Sequence, residues 1–268
     1  RKSEKPDDAA KCFERGLTFD PKNFRCLEGL YEISMERKDP AKSYALTRLM
    51  YAEHPYTPRR IPELVKLSIA NKKFKDVLDY YKFFVQMEAR DEATCLSLAA
   101  GLVLTGRNYL LKGKKKAADK AVDCFDKAVS ISKGKAGIYK GVLRALLETK
   151  HPKQAEAYLK ALPSDLADSE EIMLLWFDQT LLAGSTNDVL MIGSRLLSKG
   201  IKNEKIYESM IVKSLEAGRR HSTVEHLFID ACRIYPEKRE YFENLMKTKP
   251  IPLIVPLPKA KEAGDDSH

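Results

Sequence analysis

Residues 121–163 read AVDCFDKAVSISKGKAGIYKGVLRALLETKHPKQAEAYLKALP, and two segments of one kind stand in that stretch 34 residues apart. The first is Ala121-x3-Phe125-x2-Ala128 and the second is Ala155-x3-Leu159-x2-Leu162. Positions three and four residues apart share one face of a helix, so each segment sets a small residue beside a bulky one. The small residue lets a neighbouring helix approach, and the bulky one fills the groove between them. Between the two segments, Tyr139, Val142, Leu143 and Leu146 follow the same helical period and predict a partner helix.

Outward from this stretch the pattern covers most of the chain. Segments of the same kind begin at Ala9, Ser43, Val77, Ala121, Ala155, Val189 and Val224, separated by 34, 34, 44, 34, 34 and 35 residues. Apolar partner sets precede the others: Leu27, Leu30 and Tyr31; Ile61, Leu64 and Val65; Cys95, Leu98, Ala99 and Leu102; Met173, Trp176 and Phe177; Tyr207, Met210 and Ile211. An orphan first helix is therefore followed by six helical pairs. A single hairpin is too small to bury its own apolar face, so successive pairs must stack to form a core.

Composition agrees with a helical chain. Only 13 Gly and 13 Pro stand among 268 residues, and straight-chain helix formers dominate. Five cysteines (Cys12, Cys26, Cys95, Cys124 and Cys232) form an odd set without a C-x-x-C pair, which fits buried thiols in a reducing, cytoplasmic setting better than a disulfide framework. A net charge of +9 favours acidic partners. No apolar run is long enough to span a bilayer, and the N-terminal residues do not form a signal peptide. The start at Arg1 and the unpaired first helix read as a fragment or processed form of a larger multidomain protein.

The copies Ala9-x3-Phe13-x2-Gly16-x4-Pro21 and Val224-x3-Phe228-x2-Ala231-x4-Pro236 resemble the second half of the tetratricopeptide repeat, a family whose signature is Ala-x3-Phe followed by a helix-ending Pro. The resemblance covers about residues 7–240. Several copies depart from it: Thr47 and Gly193 replace the bulky residue, Ala89, Lys133 and Ile201 replace the Pro, and Trp176 is displaced from the family's usual position. The resemblance implies an all-α, right-handed superhelical solenoid of six to seven hairpins over residues 1–247, with the first hairpin incomplete. It also implies that the first helices line a concave binding face. By the family's geometry that face carries Arg59, Lys66 and Ile69, then Leu96, Ala100 and Val103, then Lys140 and Arg144. An apolar centre with basic flanks suits an amphipathic helix or a peptide bearing carboxylates. No Asn matches the family's carboxylate clamp for chaperone tails.

Ten extra residues near residues 106–116 lengthen the central helical pair, and there Lys112, Lys114, Lys115 and Lys116 form a candidate basic patch or a solvated turn. Residues 248–268 leave the repeat register. Pro250, Pro252, Pro256 and Pro258 predict an extended tail that caps the last pair or docks on another protein, and its acidic end reads as disordered.

Nothing in the sequence points to catalysis, a metal or a cofactor. The five histidines are scattered, and the phosphate-cradling and hydrolase motifs are missing. The expected function is a non-catalytic scaffold for a protein or peptide partner, of the kind attached to signalling and assembly proteins. A basic repeat protein that binds RNA is the alternative, although the groove positions vary too much for a base-reading code. Self-association through the uncovered first helix is a third expectation.

Overall fold

The computed structural model describes residues 6–53, 60–87, 90–113, 116–218 and 221–247, and among them it is all-α with no strand. Two helices of the first unit start at a side-chain cap: Asn23 Oδ1 accepts the Cys26 amide at 3.1 Å and Asp91 Oδ1 accepts the Thr94 amide at 2.8 Å. The helices divide into two compact units, residues 1–163 and 164–268. Unit 1 opens with α1 (Pro6–Phe19). Four pairs follow: α2 (Phe24–Glu36) with α3 (Pro40–Glu53), α4 (Ile61–Ala70) with α5 (Phe74–Phe84), α6 (Glu92–Leu111) with α7 (Ala117–Ile131), and α8 (Ala136–Glu148) with α9 (Pro152–Lys160). Unit 2 holds the single turn α10 (Ser164–Ala167), α11 (Glu170–Ala183) with α12 (Thr186–Ser198), α13 (Glu204–Glu216) with α14 (His221–Ile234), and α15 (Arg239–Lys247) after a 3₁₀ turn.

Six of the seven predicted small positions are where the helices meet, while Ala9 in α1 is only half-buried and Ala10 takes the buried place. Ser43, Val77, Ala121, Ala155, Val189 and Val224 are all fully buried. Phe125 and Phe228 beside them are also fully buried, as the spacing requires. Tyr81 departs from the pattern: it is only half-buried, and Tyr80 and Phe84 fill the core of its hairpin instead. The Pro-less copies end by another route, because Lys133 and Gly134 take left-handed conformations (φ 50° and 71°) after α7 and Gly200 does so after α12 (φ 79°).

One regularity in the turns lies outside the sequence pattern. A residue with positive φ closes each of the six hairpins, at Lys38, Lys72, Gly113, Lys150, Gly184 and Gly218. Glycine adopts this conformation freely, whereas a lysine Cβ crowds the following carbonyl. Replacing Lys38, Lys72 and Lys150 with glycine should therefore stabilise the protein by about 1 kcal/mol per site. Urea midpoints would measure it, and a triple variant less stable than the parent would refute it.

Polar contacts repeat with the hairpins. Arg60 binds Glu28 at 2.7 Å, Tyr44 donates to Asp76, and Tyr158 donates to Asp126 at 2.6 Å, each pair being 32 residues apart. Tyr31 pairs with Glu63 at the same separation, and Tyr241 pairs with Glu208 in unit 2 at 33. Side chains one repeat apart thus tie equivalent helices of successive hairpins, as stacking in near-constant register requires.

Several buried groups hold protons more tightly when folded. Burial pushes the Cys124 thiol up to about 12, and burial together with the hydrogen bond to Asp230 pushes Tyr207 up to about 12. Tyr158 is raised by burial and by its bond to Asp126. An acid whose folded pKa is raised contributes stability that is complete below its unfolded pKa and is lost as pH climbs toward the folded value. Thermal stability should therefore fall from about pH 9, the ordinary thiol range, and more steeply through the tyrosine range. Cys124→Ala should remove the earliest part of that decline. Melting temperatures that stay level from pH 8 to 11 would exclude these groups as the cause.

Candidate protein-interaction face

Three first helices of unit 1 pack side by side, and glycines set their register. A Cβ on Gly101 of α6 would lie 2.5 Å from Val65 Cγ1 of α4, and one on Gly141 of α8 would lie 3.4 Å from Val103 Cγ1 of α6. The helices therefore approach closely at those levels. Arg107 of α6 extends the contact with an ion pair to Glu148 of α8 at 2.9 Å.

This register places the sequence-derived residues. Lys66 on α4, Ala100 on α6 and Arg144 on α8 are exposed, while Ile69, Leu96 and Lys140 are half-buried. Val103 is 7% exposed and packs at Gly141, so it serves the α6–α8 contact more than an outer surface. Arg59, Lys114 and Lys115 lie outside the described residues. Lys112 and Lys116 are exposed at the two ends of the α6–α7 turn.

In the longer central pair α6 runs to 20 residues, twice the length of α4. Two leucines of the longer helix are openly exposed, Leu104 at 42% and Leu111 at 62%. Family geometry missed them because its helices end sooner. The signal was present in the sequence, since Leu104 and Leu111 follow Ala100 by four and eleven residues and stay on its face.

Charge is unevenly shared. Unit 1 carries 33 Lys and Arg against 21 Asp and Glu, and unit 2 carries 14 against 17, so the whole positive excess belongs to unit 1. Lys66 and Arg144 stand on either side of the exposed α6 face, and neither forms a salt bridge or a side-chain hydrogen bond with another described residue. The face can therefore offer aliphatic area between two cations.

A groove of about 700 Å³ opens between the end of α5, the start of α6 and the end of α7. Three of its charged groups serve the fold: Lys135 binds Glu92 at 2.8 Å, and Arg90 donates to the carbonyls of Val85 and Met87. Cys95 also lines it, and burial raises that thiol above its ordinary range. His151 Nδ1 lies 3.1 Å from Thr149 Oγ1, whose hydroxyl donates to the Ala145 carbonyl at 2.6 Å. Among the described residues no cluster of His, Cys, Asp and Glu could hold a metal ion, and no helix is long and apolar enough to cross a membrane.

No protein-family model matches the chain. No curated protein matches it either. Among solved structures it is similar to a tetratricopeptide repeat protein from Parabacteroides merdae ATCC 43184, at 10% identity over 84% of this chain and 98% of that one, with a TM-score of 0.46. A likeness at that level adds nothing to the repeat, which rests on the buried positions, turns and inter-hairpin contacts described above.

Proposed function

We propose that this chain is a non-catalytic, tetratricopeptide-like interaction module that holds a protein partner, acidic in character, on the first-helix face of unit 1. The observation that carries this reading is the exposure of Ala100 and Leu104 on α6 between Lys66 and Arg144, continued along the helix by Leu111. Apolar area of this kind supplies affinity, and the flanking cations set orientation and discriminate against basic competitors. Five free thiols suit work in a reducing compartment such as the cytoplasm, and attachment to further signalling or assembly domains suits the module.

The reading predicts that changing Lys66, Lys140 and Arg144 together to Glu lowers capture of protein partners from native lysate by about tenfold or more while the helical content is unchanged. Survival of the same partners would remove it. One observation favours a second reading, RNA binding: the positive excess of unit 1, together with Lys120 and Lys127 lying over the rings of Tyr109 and Tyr81 at 5.9 and 5.7 Å. Retention on RNA that persists in a structure-dependent way above physiological salt would support that alternative.

A further inference from the structure

Resting on the interaction-module reading above, we infer that the segment held on unit 1 is itself an α-helix, acidic along its flanks, lying lengthwise on α6. The exposed face of α6 is a seam and not a spot. Ala93, Ser97, Ala100, Leu104, Arg107 and Leu111 succeed one another at alternating steps of four and three residues and line the side turned from the core. Alternating four and three is the spacing with which one helix meets another along its length. The seam runs over nearly all of α6, whose 20 residues span about 30 Å.

Three features select a helical occupant over an extended one. An extended peptide brings unpaired backbone N–H and C=O groups that its site must satisfy, whereas a helix satisfies its own. The seam offers mainly methyl and leucine side chains, and its one cation, Arg107, is paired with Glu148. The side-chain amide of Asn71, just past the end of α4, already donates to the carbonyls of Pro40 and Leu67. The seam is also graded. Ala93, Ser97 and Ala100 leave room for a second backbone to come close, and Leu104 and Leu111 project further along to enter the gaps between a partner helix's side chains. No aromatic ring lies on the seam itself, which favours an aliphatic helix over stacked bases.

Charge sets the flanks. The Val65–Gly101 and Val103–Gly141 contacts put Lys66 beside the middle of the seam on the α4 side and Arg144 beside it on the α8 side. Carboxylates bordering both sides of the occupant's apolar stripe would meet a cation on each side.

The test uses the full chain and three fluorescent peptides about 20 residues long. The first is helical, with leucines at steps of three and four and glutamates at the flanks. The second has lysines for the glutamates, and the third keeps the acidic sequence but carries two internal prolines. Anisotropy titration should show saturable binding of the first and about tenfold weaker binding of the other two. Leu104→Glu with Leu111→Glu should weaken the first peptide about tenfold, with circular dichroism and melting temperature unchanged, because both side chains are exposed. Lys66→Glu with Arg144→Glu should shift the preference toward the lysine peptide.

Equal binding of the proline peptide, or indifference to the leucine changes, would overturn the helical occupant and leave the module reading standing. The same holds if none of the peptides binds while lysate partners still depend on Lys66, Lys140 and Arg144. If partners ignore that triple change, or if a uridine oligonucleotide binds and loses affinity with Lys66→Glu and Arg144→Glu, both readings fall.

Discussion

Phe125→Ala is expected to cost unit 1 about 3–5 kcal/mol, the loss typical of removing a fully buried ring from a core that cannot close over the gap. The ring is 0% exposed and meets Tyr158 of α9 edge-on, with centroids 6.2 Å apart at 83°. Its other neighbour is Gly106 of α6, where an added Cβ would lie 2.5 Å from Cε1 and 2.9 Å from Cδ1 and Cζ. The aromatic of the longest hairpin thus meets both a glycine and a tyrosine. Gly106→Ala should cost about 1–3 kcal/mol, because the added methyl would press on a fully buried ring. In a Phe125→Leu background the same alanine should cost much less, since the two changes share one space. Urea unfolding followed by circular dichroism would measure the cycle, because the lone Trp176 lies in unit 2. Strict additivity would mean that the ring and the glycine are not in contact.

Gly193→Phe is expected to destabilise unit 2 by about 3 kcal/mol or more, although it restores the residue type that the repeat signature favours. Gly193 lies in α12, and a Cβ there would sit 2.4 Å from Met210 Sδ of α13 and 3.2 Å from Phe177 Cε2 of α11. The bulky residue missing from α12 is supplied by its neighbours. Phe177 and Met210 are 1% and 2% exposed in the same core, with Trp176 packed against it, so tryptophan emission reports on the site. Met210→Ala should cost about 2–5 kcal/mol alone, and combining it with Gly193→Leu should recover part of that loss. An unchanged unfolding midpoint for Gly193→Phe would show that the space can open.

These two sites mark how far the sequence could be read. A spacing of 34 residues predicts that Val189 and Leu196 are buried, and both are 0% exposed. The same spacing makes Gly193 look like a defect. A pattern within one helix records which positions face inward but not which neighbour fills each gap, because that volume is shared with residues 16 or 17 positions away. Lys38, Lys72 and Lys150 were illegible for a related reason. Their left-handed backbone is imposed by the helices on both sides of the turn, against the preference of the side chain.

The candidate face was legible in part. Lys66, Ala100 and Arg144 stand exposed on adjoining helices, while Val103 faces Gly141 and the exposed Leu104 and Leu111 continue the seam. By itself the sequence determined that the chain is helical, where its hairpins begin and which side of each helix is apolar, because those follow from the period of residues along one helix. Only the tertiary structure decided that α6 is the helix that runs to 20 residues, that glycines rather than larger residues set the spacing of the first helices, and that leucines of α6 remain uncovered. Which apolar residues stay exposed depends on how far each neighbouring helix reaches, and helix reach is a property of the packed array.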